Sequence, residues 1–252
     1  MHENVVWLTE KFMPYDCWRG MVGIIKPTKG SGSLVELIKM LPDGIGVIPL
    51  FNNVRHGKIE EFQQAIPAYE EKIAELADDK VDLIHPAGTP PFMLLGYKSE
   101  AEIIAKWEKQ FGIPIFTSGT NQVTAMKALK IKKFVGIGYD FDDTSIVARY
   151  FTDAGFDVLE LAKLPGPWEE VGRSSSKDIY AEARKLFLRH RDADGIYFQG
   201  GKLRILDIIE PLEQDLGVPV IHPGVTQCWE IQKRLHVHQP QKGYGRLLAE
   251  LP

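Results

Sequence analysis

Three segments of this 252-residue chain recur in the same order, each aligning without a gap. Met21-Val22-Gly23-Ile24-Ile25-Lys26 matches Phe134-Val135-Gly136-Ile137-Gly138-Tyr139. Val81-Asp82-Leu83-Ile84-His85-Pro86-Ala87-Gly88-Thr89 matches Ala193-Asp194-Gly195-Ile196-Tyr197-Phe198-Gln199-Gly200-Gly201. Ile113-Pro114-Ile115-Phe116-Thr117-Ser118-Gly119 matches Val218-Pro219-Val220-Ile221-His222-Pro223-Gly224. Any chain that alternates strand and helix repeats loosely. Three ordered matches, each ending in a Gly- or Pro-rich loop, point instead to a duplicated unit.

Within each copy, short apolar runs alternate with stretches of three-to-four spacing. The first copy predicts strands at Met21–Ile25, Gly46–Leu50, Val81–His85 and Ile113–Phe116. Helices are expected at Ser33–Met40, capped by Ser31 or Ser33, and at Ile59–Asp78, Ser99–Phe111 and Asn121–Leu129, with a loop over Pro86–Pro91. The second copy predicts strands at Lys133–Gly138, Asp157–Leu161, Gly195–Phe198 and Val218–Ile221. Its helices fall at Thr144–Ala154, Ser176–Arg189, Ile205–Leu216 and Gln227–Leu235, with Asp142-Asp143 as a cap. Alternation of this kind gives an α/β fold, with parallel sheets covered by helices. Ligands of such sheets bind beyond the carboxyl ends of the strands. Those ends are 26–33, 85–91, 117–120, 139–143, 199–202 and 222–225, and two facing lobes would bring them to one cleft.

Composition narrows the function. The charged fraction is 25 % and the net charge −4, with no basic stripe, so a nucleic-acid partner is not expected. The apolar runs are too short for a membrane span. No charged segment followed by an apolar one opens the chain, so a cytoplasmic protein is expected. Cys17 and Cys228 are too few for a disulfide framework, and no His or Cys pair has metal spacing, so neither metal nor cofactor is expected.

The duplicated unit, with a small-residue loop after a middle strand of each half, resembles the aspartate/glutamate racemase superfamily in its arylmalonate decarboxylase and maleate isomerase branch. The Gly88-Thr89 loop, the stretch Asp194-Gly195-Ile196 to Val218-Pro219-Val220, and the tail Gly243-Tyr244-Gly245-Arg246-Leu247 carry the likeness, which runs from about Met21 to the end. It implies two pseudo-symmetric lobes, 1–117 plus 225–252 and 118–224, with the final helix returning to the first lobe. A homodimer is one assembly open to such a chain. The racemases and maleate isomerases carry one catalytic cysteine per lobe, at positions that correspond to Gly88 and Gly200. The decarboxylase keeps only the second. Its serine after Gly-Thr is Pro90 here, and a loop glycine is Lys202. Cys17 and Cys228 lie outside both loops, so chemistry through paired thiols is not expected.

Other groups must then do the work. Gly88, Thr89, Gly200 and Gly201 form turns whose backbone N–H groups can hold a carboxylate or enediolate, or simply permit a tight bend. Tyr139 ends a strand where the related enzymes use a tyrosine; a phenol donates to a carboxylate or supplies a proton. Lys26, its mate in the repeat, is either an ammonium facing the cleft or a surface lysine, with Lys29 second in the same loop. Lys202 replaces a glycine and is a proton donor or a solvated side chain. His85 and His222 precede prolines at strand ends and are either turn residues or acid/base groups. Gln199 offers neutral hydrogen bonds. Trp168 and Ser174 fall near a substrate loop of the family, and Phe92, Tyr197 and Trp168 are apolar enough to exclude water.

The expectation is a cofactor-free lyase of decarboxylase type acting on a small carboxylate through an enediolate or carbanion, with a proton donor other than cysteine. An isomerase, tautomerase or hydrolase in the same cleft, or a carboxylate-binding protein without catalysis, are the alternatives.

Overall fold

The computed structural model describes residues 17–29, 32–139, 145–164 and 170–252. Parallel strands β1 (Gly20–Lys26), β2 (Ile45–Phe51) and β3 (Leu83–Pro86) form one sheet in the order β2-β1-β3. Strands β4 (Lys133–Gly138), β5 (Asp157–Lys163), β6 (Gly195–Phe198) and β7 (Val220–Ile221) form the second, also parallel, in the order β5-β4-β6-β7. The first strand of each copy is therefore central, and the chain steps outward the same way in both.

Hydrogen bonds repeat with the sequence. Ile84 donates its N–H to the Pro114 carbonyl at 3.0 Å, and its match Ile196 donates to the Pro219 carbonyl at 3.0 Å. Asp82 accepts from the Met21 N–H at 2.9 Å, and Asp194 accepts from the Lys133 N–H at 3.1 Å. Each carboxylate thus anchors the start of a central strand to the strand beside it. A buried residue at one of these matched positions is constrained by backbone pairing as well as by packing.

The helices are α1 (Gly32–Met40), α2 (Ile59–Gln63), α3 (Ala65–Asp78), α4 (Thr89–Leu95), α5 (Tyr97–Phe111) and α6 (Ser118–Ala128), then α7 (Ser145–Asp153), α8 (Ser176–Arg189), α9 (Leu206–Leu216), α10 (Pro223–Arg234) and α11 (Arg246–Glu250). Four expectations are corrected. The single helix over 59–78 breaks at Gln64, because Pro67 has no N–H to give the Gln63 carbonyl. The loop over 86–91 already contains the start of α4, where Pro90 and Pro91 occupy first-turn positions that leave their missing N–H groups harmless. The strand at 113–116 shrinks to one bridge, Ile84 to Ile115. Ser33 is also not a cap: it lies inside the first turn of α1. Ser31, Asp142, Asp143 and Thr144 lie outside the described residues.

Helix α10 packs against α1, α6 and α11. The buried carboxylate of Glu213 fixes the tail, accepting from the Val220 N–H at 2.8 Å and the Arg246 N–H at 2.7 Å. Among the described residues, no helix is long and apolar enough to cross a membrane.

Candidate active site

A parallel sheet aims all its strand ends one way, so the two sheets gather their loops at a shared cavity of about 420 Å³. Lys26 enters from β1, Gly88, Thr89 and Pro90 from the turn into α4, and Ser118 from the first turn of α6. Across from them stand Tyr139 after β4, Gly200, Gly201 and Lys202 after β6, and His222 after β7. All six strand-end segments read from the sequence contribute.

Lys26 is 6 % exposed, and its Nζ donates to Ser33 Oγ at 2.7 Å. Burial pulls its pKa down to about 8, against the opposing pull of the Glu36 carboxylate. Burial likewise raises Glu36, with Arg204 working the other way. Glu36 and Arg204 both line the cavity beside Lys26.

The two glycine loops do not present bare backbone. Gly88 donates its N–H to Ser118 Oγ at 2.9 Å, and His85 Nε2 stands 3.2 Å from the same oxygen. His85 is buried, its Nδ1 meets no partner, and burial holds its pKa down at about 3, so the ring is neutral. A proton on Nδ1 would be a buried orphan donor; a proton on Nε2 reaches Ser118. Both lone pairs of Ser118 are then engaged, and its own proton is left for the cavity. In the second loop the Lys202 N–H donates to the Tyr139 oxygen at 2.8 Å. Burial raises the Tyr139 pKa, while the Lys202 and Leu203 N–H groups pull it down. Each loop therefore ends on a hydroxyl at the cavity wall.

Backbone geometry explains why these positions are glycine. Gly88 has φ +112° and Gly200 φ +85°, where side chains are strained. A β-carbon on Gly200 would lie 2.1 Å from the Tyr139 ring. The seat a side chain would take in the second loop is already filled by Tyr139.

Thr89 Oγ1 accepts from Gln122 Nε2 at 3.2 Å, and Gln122 Oε1 accepts from the Tyr197 hydroxyl at 3.0 Å, tying the first loop to β6. His222 caps α10, accepting from the Gly224 N–H at Nδ1 (3.3 Å), with Nε2 3.3 Å from the Leu203 carbonyl. Burial lowers its pKa to about 4, so it is neutral and structural in its bonding.

Four of the expected polar residues, His85, Gln199, Lys29 and Ser174, do not line the cavity. His85 stacks on Phe116 with ring centroids 4.3 Å apart and touches the cavity only through Ser118. Gln199 is buried outside the lining. Gln199 is level with Gly138, one residue before Tyr139, and so faces away from the cavity, whereas His85 is level with Ile24, two positions short of Lys26, and Ser118 stands at the lining instead. Phe92 and Tyr197 are core residues as well, and Trp168 lies outside the described residues. Ser33, Glu36, Ser118, Arg204 and Gln227 are among the cavity residues that the sequence did not single out. Ser33-Leu34-Val35-Glu36 has the Ser-x-x-Glu spacing of a helix cap, which hides both side chains behind a structural role. Ser118 stood in a segment already recognised as a strand end. Among the described residues, no group of three His, Cys, Asp or Glu is placed to hold a metal ion.

The family model for arylmalonate decarboxylase matches residues 27–248. A search of curated proteins finds no match. The fold is similar to maleate isomerase from Pseudomonas putida S16, with TM-score 0.86 and 20 % identity over 92 % of this chain and 99 % of that one. It is similar to the maleate cis-trans isomerase of Nocardia farcinica, with TM-score 0.81 and 20 % identity over 92 % and 98 %. Arylmalonate decarboxylase itself superposes with TM-score 0.75 and 20 % identity over 91 % and 99 %. With the family match spanning nearly the whole described chain and the fold shared throughout, this protein belongs to the arylmalonate decarboxylase family.

Proposed function

We propose that this protein is a cofactor-free lyase that removes carbon dioxide from a small carboxylate. The observation that carries the reading is the pair of glycine loops whose N–H groups end on hydroxyls at one cavity, with a buried amine beside them. Loss of carbon dioxide leaves an electron pair that spreads onto a carboxylate as an enediolate. The Thr89 N–H, unused by the first turn of α4, and the Ser118 hydroxyl are placed to hold that charge. Tyr139 and Lys202 face them across the cavity and suit a second carboxylate oxygen. Ile24, Leu34, Leu37 and Phe62 give the cavity an apolar wall, which favours departure of an uncharged molecule. The proton returns to carbon from the Lys26 ammonium. Its pKa of about 8 lies near working pH, whereas burial pushes Tyr139 the wrong way for a donor. One acid and one anion pocket suffice for this reaction, and thiols are not needed.

The test is carbon dioxide release over a panel of substituted malonates. Lys26→Met is expected to lower turnover about 100-fold or more, and Ser118→Ala on the order of 100-fold. Because the ammonium is the active form, wild-type turnover falls as pH rises through about 8. A Lys26→Met variant with wild-type rate and pH profile would remove Lys26 from the chemistry. An isomerase is the second reading, favoured by the high fold similarity to maleate isomerase. It predicts binding of the same acids with no carbon dioxide released, and a rate that needs two titrating groups.

A further inference from the structure

We infer that the Lys26 amine is also a nucleophile, and that the cavity accepts β-keto acids, which it decarboxylates through a covalent iminium. The inference rests on the reading of the cavity as a small-carboxylate site, and not on which carboxylate the enediolate route uses. The geometry is that of a buried amine lining a partly open cavity. Lys26 closes the central strand β1, pairs with Phe51 across the sheet, and turns its Nζ to Ser33 Oγ at 2.7 Å. At 6 % exposure the side chain is held away from bulk water yet still lines the cavity. The charged groups around it are Glu36 from α1 and, from the second copy of the repeat, Arg204 and Lys202, with Tyr139 and neutral His222 also lining the cavity. Arg204 and Lys202 supply the positive charge a carboxylate needs, while burial keeps part of the Lys26 population uncharged near neutral pH.

The step balances with water alone. The neutral amine forms a bond from Nζ to the keto carbon, its proton passes to oxygen, and water leaves with one further proton from solvent, giving a protonated imine. The bond to the carboxylate carbon then breaks, its electron pair moves toward the iminium nitrogen, and carbon dioxide departs. The resulting enamine takes a proton at carbon, and hydrolysis returns the ketone and the free amine. A malonate has no ketone and cannot follow this course, so the two routes separate by substrate.

The experiment uses the full chain with acetoacetate as probe. Protein is incubated with acetoacetate and sodium borohydride, and the intact mass and peptide map are read, beside carbon dioxide release from acetoacetate and from the malonate panel. The expected result is an isopropyl group replacing one hydrogen on Lys26, formed only when acetoacetate and borohydride are both present. Lys26→Arg keeps the charge and loses the adduct; its unfolding midpoint, matched to wild type, shows that it has folded. Label spread over Lys29, Lys202 and surface lysines, or no label, overturns the inference. Malonate turnover without an adduct leaves the lyase reading standing and the nucleophile fallen. An adduct without malonate turnover does the reverse.

Discussion

Gly200→Cys is expected to lower the unfolding free energy by about 3 kcal/mol and to spoil the cavity. Two costs add. The position has φ +85°, so any β-carbon is strained there. That carbon would also lie 2.1 to 2.3 Å from three atoms of Tyr139, two ring carbons and the hydroxyl oxygen. Tyr139 is 3 % exposed and its oxygen accepts from the Lys202 N–H at 2.8 Å, so the ring yields only by breaking that bond and swinging into the cavity. Gly200→Ala carries the same carbon and should cost about as much. Adding Tyr139→Ala removes the obstacle, so the pair should be less destabilised than the sum of the single changes by about 1–3 kcal/mol. Denaturant unfolding of the four proteins measures this. Additive costs would show that Tyr139 does not occupy the seat. A second consequence is functional: a thiol cannot be restored to this loop by one substitution, because the tyrosine and the thiol compete for one space.

Glu100→Ala is expected to cost on the order of 3 kcal/mol or more, and Glu100 should make stability fall as pH rises. Glu100 lies on α5, is fully buried, and accepts from the Thr117 and Tyr150 hydroxyls. The Gly119 and Thr120 N–H groups of α6 also bond to it. It thus pins α5 to α6 and to α7, which belongs to the second copy of the repeat. Alanine would leave these donors unpaired in the core. Burial raises the Glu100 pKa from 4.5 to about 7, so the folded protein holds the proton more tightly than the unfolded chain. That stabilisation is complete below about pH 4.5 and fades as pH climbs to about 7, a change of about 3 kcal/mol. Glu100→Gln resembles the protonated acid and should remove the Glu100 part of the slope while staying near wild-type stability at pH 5; the parts due to Glu36, Glu213, His85 and His222 remain in both proteins. Exposed carboxylates such as Glu160 and Asp192, whose pKa values are lowered by their cationic partners, act at lower pH and equally in both proteins. Equal slopes for wild type and Glu100→Gln between pH 5 and pH 8 would contradict the buried-acid account.

The same contrast between local pattern and assembled contact runs through the molecule. Apolar periodicity is written along the chain, so the alternation of strand and helix, the duplication, and the strand ends that bear the cavity were all legible before any coordinates. The α/β class followed from the alternation, since parallel strands require helical crossovers. Gly88 and Gly200 stood out because a turn that needs positive φ leaves a glycine in the sequence. Facing direction was a different matter. His85 and Gln199 end strands as Lys26 and Tyr139 do, yet Gln199 is offset by one residue from Tyr139 and faces the core, while His85, level with Ile24, stops two positions short of Lys26 and reaches only Ser118. Glu36 and Arg204 are far apart in sequence, and only the tertiary fold brings them to one cavity. Burial decided the rest: the sequence holds a lysine at position 26 and a serine at 118, but only the packing around them lowers the pKa of the first and saturates the oxygen of the second. The sequence by itself determined most of the secondary elements, the repeat and the loops at the strand ends, because these depend on short-range patterns. Tertiary structure alone decided which loop side chains share the cavity and how their protons are held, because desolvation and long-range contact have no local signature.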